Sequence, residues 1–287
     1  MPKTTSAPHS FIPFNTVFST KYPKMKRSQL PRSPLILVIA QVQFSPVEGV
    51  RKYIRDIQEE LRMKGFPYFE MCPIQQVTMM GPSLQVSTTD QWFFTDKSKQ
   101  TNIVLTKNAL VVNTVKYTTF DEYLPKVGEA VEVISQKLKL AQFGALERVS
   151  LRYVDQIRQL DGVTPEKMVK DEYLGGFLND SDVVLRQVVI ERRTKAGGGI
   201  RTILFRPNNP NAVFGEFQAV RLNLPQFLQG EKPLILDMEH SMPVQGKDFL
   251  LDNILSIFRH LHGELDDLFF EKIPTEVALT LWGKEGE

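Results

Sequence analysis

Two pairs of charged residues in this chain have a spacing that could support chemistry: Arg148 with Arg152, and Asp237 with Glu239. The members of the pairs stand four and two positions apart within segments of alternating apolar side chains, so on a strand each pair shares one face. Asp237 and Glu239 lie opposite Leu236 and Met238; Arg148 and Arg152 lie opposite Leu151 and Tyr153. Two carboxylates can divide acid and base work when their surroundings separate their pKa values. Arg148, Arg152, Asp237 and Glu239 therefore form a candidate charged groove for hydrolase-type chemistry. The same rows also fit a lattice of cross-strand ion pairs on a solvated sheet face, and that reading is preferred.

A second constellation is the basic segment 191–206, where Arg192, Arg193, Lys195, Arg201 and Arg206 face a single acid, Glu191. Its centre, Ala196 to Gly199, reads as a hairpin tip. Arg192, Arg193, Lys195 and Arg201 are thus candidates for anion or nucleic-acid contact, although charged edge hairpins also discourage aggregation. His260, His262, Glu264 and Asp266 crowd one helix, with His260–Glu264 and His262–Asp266 each at i, i+4. The histidines stand two residues apart, about 200° around a helix, so they do not converge on one metal ion. No phosphate-binding loop, dinucleotide fingerprint or nucleophile elbow occurs. Cys72 reads as a buried or semi-exposed small hydrophobe, and Trp92, Phe93 and Phe94 as sheet packing. The sequence assigns no catalytic residue, metal ligand or cofactor.

The elements that position these groups follow from periodicity. Leu35–Phe44 and Leu146–Ile157 alternate as strands, with Ile36, Val38, Ala40, Val42 and Phe44 on one face. After the first comes a helix over Val47–Lys64, ending at Gly65. Strands are expected at Gln76–Gly81, Gln91–Thr95, Asn102–Thr106 and Ala109–Val115, then a helix over Thr119–Leu140 opened by the Thr119/Glu122 capping box. After the second strand the order resembles the first: a short helix at Pro165–Asp171, strands at Val183–Thr194, Ile200–Phe205, Glu216–Leu224 and Pro233–His240, and a closing helix over Gly246–Ile273. The expected fold class is α+β: two related β-α-β(n)-α units with an antiparallel sheet and long amphipathic helices packed on one face. Residues 1–34 read as a flexible basic tail, 35–142 as the first unit and 143–287 as the second.

Hydrophobic residues make up 42% and charged residues 24% of the chain, which suits a protein that buries a core. No apolar run approaches the ~20 residues of a membrane helix, and a single cysteine excludes an internal disulfide. Charge is unevenly spread. Residues 1–34 hold six bases and no acid, whereas Asp237 to the end holds eleven acids against four bases. An acidic body argues against general nucleic-acid binding.

Dispersed segments carry a family resemblance over about residues 30–283. They are Leu30-Pro-Arg-Ser-Pro34 with Ile39-Ala-Gln-Val-Gln-Phe44, Ile103-Val-Leu-Thr106 with Leu110-Val-Val-Asn113 and Tyr117, and Arg148-Val-Ser-Leu-Arg-Tyr-Val-Asp155. Leu234-Ile-Leu-Asp-Met-Glu239 and Leu261-His262 with Phe269 and Ile273-Pro-Thr275 complete the series. In this order they resemble a sporadically distributed family of bacterial proteins of similar length, known by a numbered label. The family usually has an acid and an arginine in the first strand, both missing here, and an asparagine where Asp155 stands. The resemblance implies a bacterial, cytoplasmic protein and brings no catalytic set. The expected function is that of a non-enzymatic interaction protein binding a protein partner or its own copy, with no membrane association. The sporadic distribution points to an accessory role in phage defence or toxin neutralisation. The alternatives are the hydrolase-type groove and nucleic-acid binding through the 191–206 hairpin.

Overall fold

The computed structural model describes residues 30–80, 83–174, 187–194, 199–207, 220–225, 231 and 233–283. Strong alternation produces the central strands β1 (Leu35–Phe44) and β6 (Ala145–Ile157), which pair antiparallel in the middle of one nine-stranded sheet. Between them come α1 (Ile54–Met63), entered through a 3-10 turn at Val50–Tyr53, then β2 (Tyr68–Met80), β3 (Ser83–Thr95), β4 (Thr101–Leu105), β5 (Ala109–Thr114), α2 (Phe120–Leu138) and the single turn α3 (Leu140–Phe143). After β6 follow a 3-10 turn at Pro165–Met168, the short α4 (Asp171–Leu174), β7 (Val188–Arg193), β8 (Ile200–Pro207) and β9 (Leu234–Asp248). α5 (Leu251–Asp267) continues into a π-helical turn at Leu268–Lys272, and α6 (Glu276–Gly283) is the last described element. Strand order is β2-β3-β4-β5-β1-β6-β9-β8-β7, and every ladder is antiparallel. The α+β class is therefore observed.

One face of the sheet carries the helices. Val38, Ala40, Val42 and Phe44 of β1 and Val149, Leu151 and Tyr153 of β6 pack with Val127, Val131 and Ile134 of α2 and Ile254, Phe258, Leu261 and Leu265 of α5. This core runs across both halves of the chain, so units 35–142 and 143–287 share a single sheet and a single hydrophobic layer. A smaller cluster of Ile36, Leu37, Val154, Ile235 and Val220 occupies the other face. Ile36 departs from the expected β1 face because the ladder slips between Leu35 and Leu37, where one extra residue sits opposite β6.

The Thr119 cap forms as its spacing requires: the Glu122 amide donates to Thr119 Oγ1 at 3.1 Å. Truncation, Thr119→Ala, is expected to lower stability by about 1 kcal/mol in urea denaturation; an unchanged midpoint would show that packing alone fixes the start of α2.

Several boundaries differ from expectation. β2 and β3 are longer, forming a ladder from Tyr68–Thr95 to Met80–Ser83. β9 runs on through Pro243 and Gly246 to Asp248, so the closing helix begins at Leu251 rather than Gly246. Within the strand expected at Glu216–Leu224, residues 220–224 are not extended into a ladder, and Arg221 adopts φ 56°. Residues 216–219 and 183–186, and residues 1–29 of the basic tail, lie outside the described residues. Leu30–Pro34 do not behave as tail: Leu30 is buried, the Arg32 amide donates to the Trp282 carbonyl at 3.1 Å, and Arg32 grips Asp161 through two 3.0 Å bonds.

Candidate functional site

The polar rows of β6 and β9 meet on the sheet face opposite the helices. Register places Arg152 across from Glu239, Ser150 across from Ser241 and Arg148 across from Pro243. The Arg152 guanidinium reaches the diagonal neighbour instead of the direct one: Nε donates to Asp237 Oδ1 at 2.7 Å and Nη2 to Oδ2 at 2.5 Å. Such a fork-on-fork pair is the strongest geometry open to these groups. The Asp237 side chain is only 5% exposed, so the pair is held largely out of water.

Glu239 is half-buried in the same row. Burial pushes its carboxyl above the ordinary range; Arg152 opposes this, Asp237 adds to it, and the Ser150 hydroxyl and Arg148 pull it back only in part. The four residues thus come together, as their spacing allows. Asp237 is spent on Arg152, while Glu239 is a carboxyl that holds its proton more firmly than usual.

The basic hairpin is divided rather than concentrated. Arg192 pairs in register with Arg201 and Arg193 with Ile200, so Arg192 and Arg193 point to opposite faces of the β7–β8 ribbon. Arg192 and Arg193 are exposed, whereas Arg201 is partly covered and lies 3.4 Å from Glu264 of α5. Lys195 lies outside the described residues, as do the side chains of Phe205 and Arg206.

The histidines face the helical layer. His262 stands over β6: the Tyr153 hydroxyl lies 2.9 Å from His262 Nδ1, Asp266 lies 3.4 Å from Nε2, and the Phe120 ring stacks on the imidazole at 4.0 Å. The i, i+4 spacing gives the His262–Asp266 half of this chain. Tyr153, 109 residues away, leaves no local signal. His240 is fully buried beneath α5, its ring 6.0 Å from that of His260, and neither of its nitrogens has a hydrogen-bond partner among the described residues. Among the described residues, no group of three or more His, Cys, Asp or Glu side chains converges on a metal-sized site.

At the β2 edge the surface changes character. Tyr68 and Met71 are about half exposed and Phe69 somewhat less. Lys99 lies over the Tyr68 ring at 5.8 Å, and Arg221 lies over the Phe93 ring at 5.0 Å. Arg221 also pairs with Glu70 and donates to Cys72 Sγ at 3.1 Å. Cys72 is accordingly half-buried against a guanidinium. A cavity of about 410 Å³ opens between Tyr68, Phe69, Thr95, Lys99 and Arg221. Trp92, Phe93 and Phe94 are buried in the sheet, as expected of packing residues. Among the described residues, no helix is long and apolar enough to cross a membrane. No protein-family model matches the chain, and a search of curated proteins finds no match.

Proposed function

We propose that the protein is a binding protein rather than an enzyme, and that it takes an extended segment of a partner protein along the Tyr68–Cys72 edge of β2. The observation that carries this reading is the exposure of Tyr68, Phe69 and Met71 on a strand that, among the described residues, pairs on one side only, beside Lys99 and Arg221. Unpaired edge amides and carbonyls are a template for an added strand, with side-chain pockets setting specificity. The opposite edge is guarded by Glu191, Arg192 and Arg193, all exposed. On β2 the corresponding guard is Pro73, which withholds one amide and confines addition to the residues before it. Lys99, Arg221 and Glu70 together carry one surplus positive charge, which suits a partner segment bearing a carboxylate. Related units forming the scaffold, a bacterial cytoplasm as the setting and an accessory role in defence or toxin neutralisation belong to the same proposal; they rest on the repeated order of elements and on the resemblance set out above.

Purification of the full chain from its host is expected to return a stoichiometric partner that slows hydrogen exchange at Tyr68–Cys72 and is lost in Met71→Lys. Recovery of the chain alone, or a partner held equally by Met71→Lys, would overturn the assignment of this edge. A second reading has one observation in its favour, the proton-retaining Glu239 beside Arg148 and Arg152, and would make this row an acid–base site.

A further inference from the structure

The exposed edge strand is nearly symmetric in sequence about its own middle. Pro67-Tyr-Phe-Glu-Met-Cys-Pro73 has a proline at each end and an apolar residue on either side of Glu70. The prolines bound the stretch whose amides are free to pair. A two-fold axis standing upright on a sheet reverses strand direction, so an edge strand meets its own copy antiparallel. With that axis at Glu70, Phe69 lies opposite Met71 of the second copy, Tyr68 opposite Cys72 and Pro67 opposite Pro73. Both faces suit this register. Phe69 and Met71 lie on the helix-covered face, as their ladder partners Phe94 and Trp92 do, yet are 37% and 51% exposed, so pairing covers two apolar contacts. Phe69 is already steadied on the Phe94 ring at 5.4 Å. On the other face the two Glu70 carboxylates meet at the axis, where bare like charges would repel. Each carries the Arg221 of its own copy, so two carboxylates and two guanidiniums cancel.

We infer that a second copy of this chain occupies the Tyr68–Cys72 edge when no other partner does, joining two nine-stranded sheets antiparallel about Glu70. This rests on the reading of that edge as a strand-adding site, and makes self-pairing the competitor that an incoming segment displaces. So short a pairing falls well under the roughly 1,200 Å² of a stable interface, which sets a transient dimer with a Kd on the order of 100 μM. Self-pairing also hides an apolar edge that would otherwise seed aggregation.

The experiment uses the full chain alone, with sedimentation followed from about 5 μM to about 1 mM, and a reversible monomer–dimer equilibrium is expected. Disulfide trapping reads the register. Tyr68→Cys places a thiol directly opposite Cys72 of the second copy, within the Cα separation of about 4.4–6.8 Å that a disulfide spans. Oxidation with diamide is expected to give a covalent dimer that a thiol reductant reverses. The same variant carrying Cys72→Ser, and the wild type with Cys72 alone, are expected to stay unlinked, because like residues then stand about 13 Å apart along the strands. Glu70→Lys gathers four positive charges at the axis and is expected to weaken the dimer at least about ten-fold. A foreign segment bearing a carboxylate meets that change only once and is expected to bind still. A monomer at every concentration, cross-linking that does not depend on Cys72, or an undiminished dimer in Glu70→Lys would each overturn self-pairing. The edge itself is tested separately, since a foreign partner that slows exchange at Tyr68–Cys72 in a chain that never dimerises upholds the edge and removes only the second copy.

Discussion

Arg152→Met is expected to destabilise the protein by about 3 kcal/mol, because it strands the Asp237 carboxylate in a site from which water is largely excluded. The loss comes less from the missing attraction than from the uncompensated charge left behind. Arg152→Lys keeps the charge but not the planar fork that meets both Asp237 oxygens, so an intermediate loss is expected. The double variant Arg152→Met, Asp237→Leu removes both charges and is expected to recover most of the stability, as apolar replacements of buried ion pairs commonly do. Denaturant midpoints on the wild type, Arg152→Met, Asp237→Leu and the double variant form a double-mutant cycle. A single-variant loss under about 0.5 kcal/mol, the range of ordinary surface changes, would mean that solvent reaches Asp237 freely. The cycle also bears on function: if the double variant keeps partner binding, the central charged row is scaffold and the acid–base reading loses its support.

The central row was readable in the sequence because it needs only period-2 alternation. Arg148 and Arg152 on one strand, with Asp237 and Glu239 on another, share a face wherever those strands lie. What alternation does not fix is register. Arg152 stands opposite Glu239 yet binds the diagonal Asp237, and only the β6–β9 ladder decides this. The tertiary partners were illegible for the same reason. Tyr153 reads as a core residue of β6, and nothing local says that its hydroxyl meets His262. Among the elements, Thr119 announced α2 because a side-chain cap is a local event. β9 looks shorter in the sequence than in the fold because Pro243 and Gly246 are turn residues by composition. In the fold Gly246 takes φ 72° beside a register slip between Leu146 and Arg148, so the strand bends and continues. α6 escaped notice although Thr275 marks its start, its hydroxyl accepting from the Ala278 amide at 3.3 Å. Its signal was hidden behind Pro274, which reads as an end of order more readily than as a joint between two helices.

Acid is expected to destabilise the protein through His240, and the effect is expected to be removed by His240→Leu. Burial drives the pKa of His240 down from the usual 6.5 to about 4, with Arg201 beside it on β8 and His260 above it on α5 acting in the same direction. Arg201 is itself engaged with Glu264 of α5 at 3.4 Å. Gly199 approaches the ring closely: a Cβ placed there would come within 2.8 Å of its Nε2. A depressed histidine pKa means that the unfolded chain takes up the proton first. Stability is therefore whole above pH 6.5 and falls as pH drops toward 4, by about 3 kcal/mol over that window. Glu239 slopes the opposite way. Its carboxyl pKa is raised by folding, so its contribution is whole below the unfolded value and is lost as pH rises through the folded one. The two opposing terms partly mask each other in the wild type, and the difference between wild type and His240→Leu separates them. That difference in unfolding free energy is expected to be near its minimum above pH 6.5 and to grow in favour of the variant down to pH 4. Parallel curves across the window would mean that the imidazole finds a proton acceptor in solution, and that the layer between β9 and α5 is open to water.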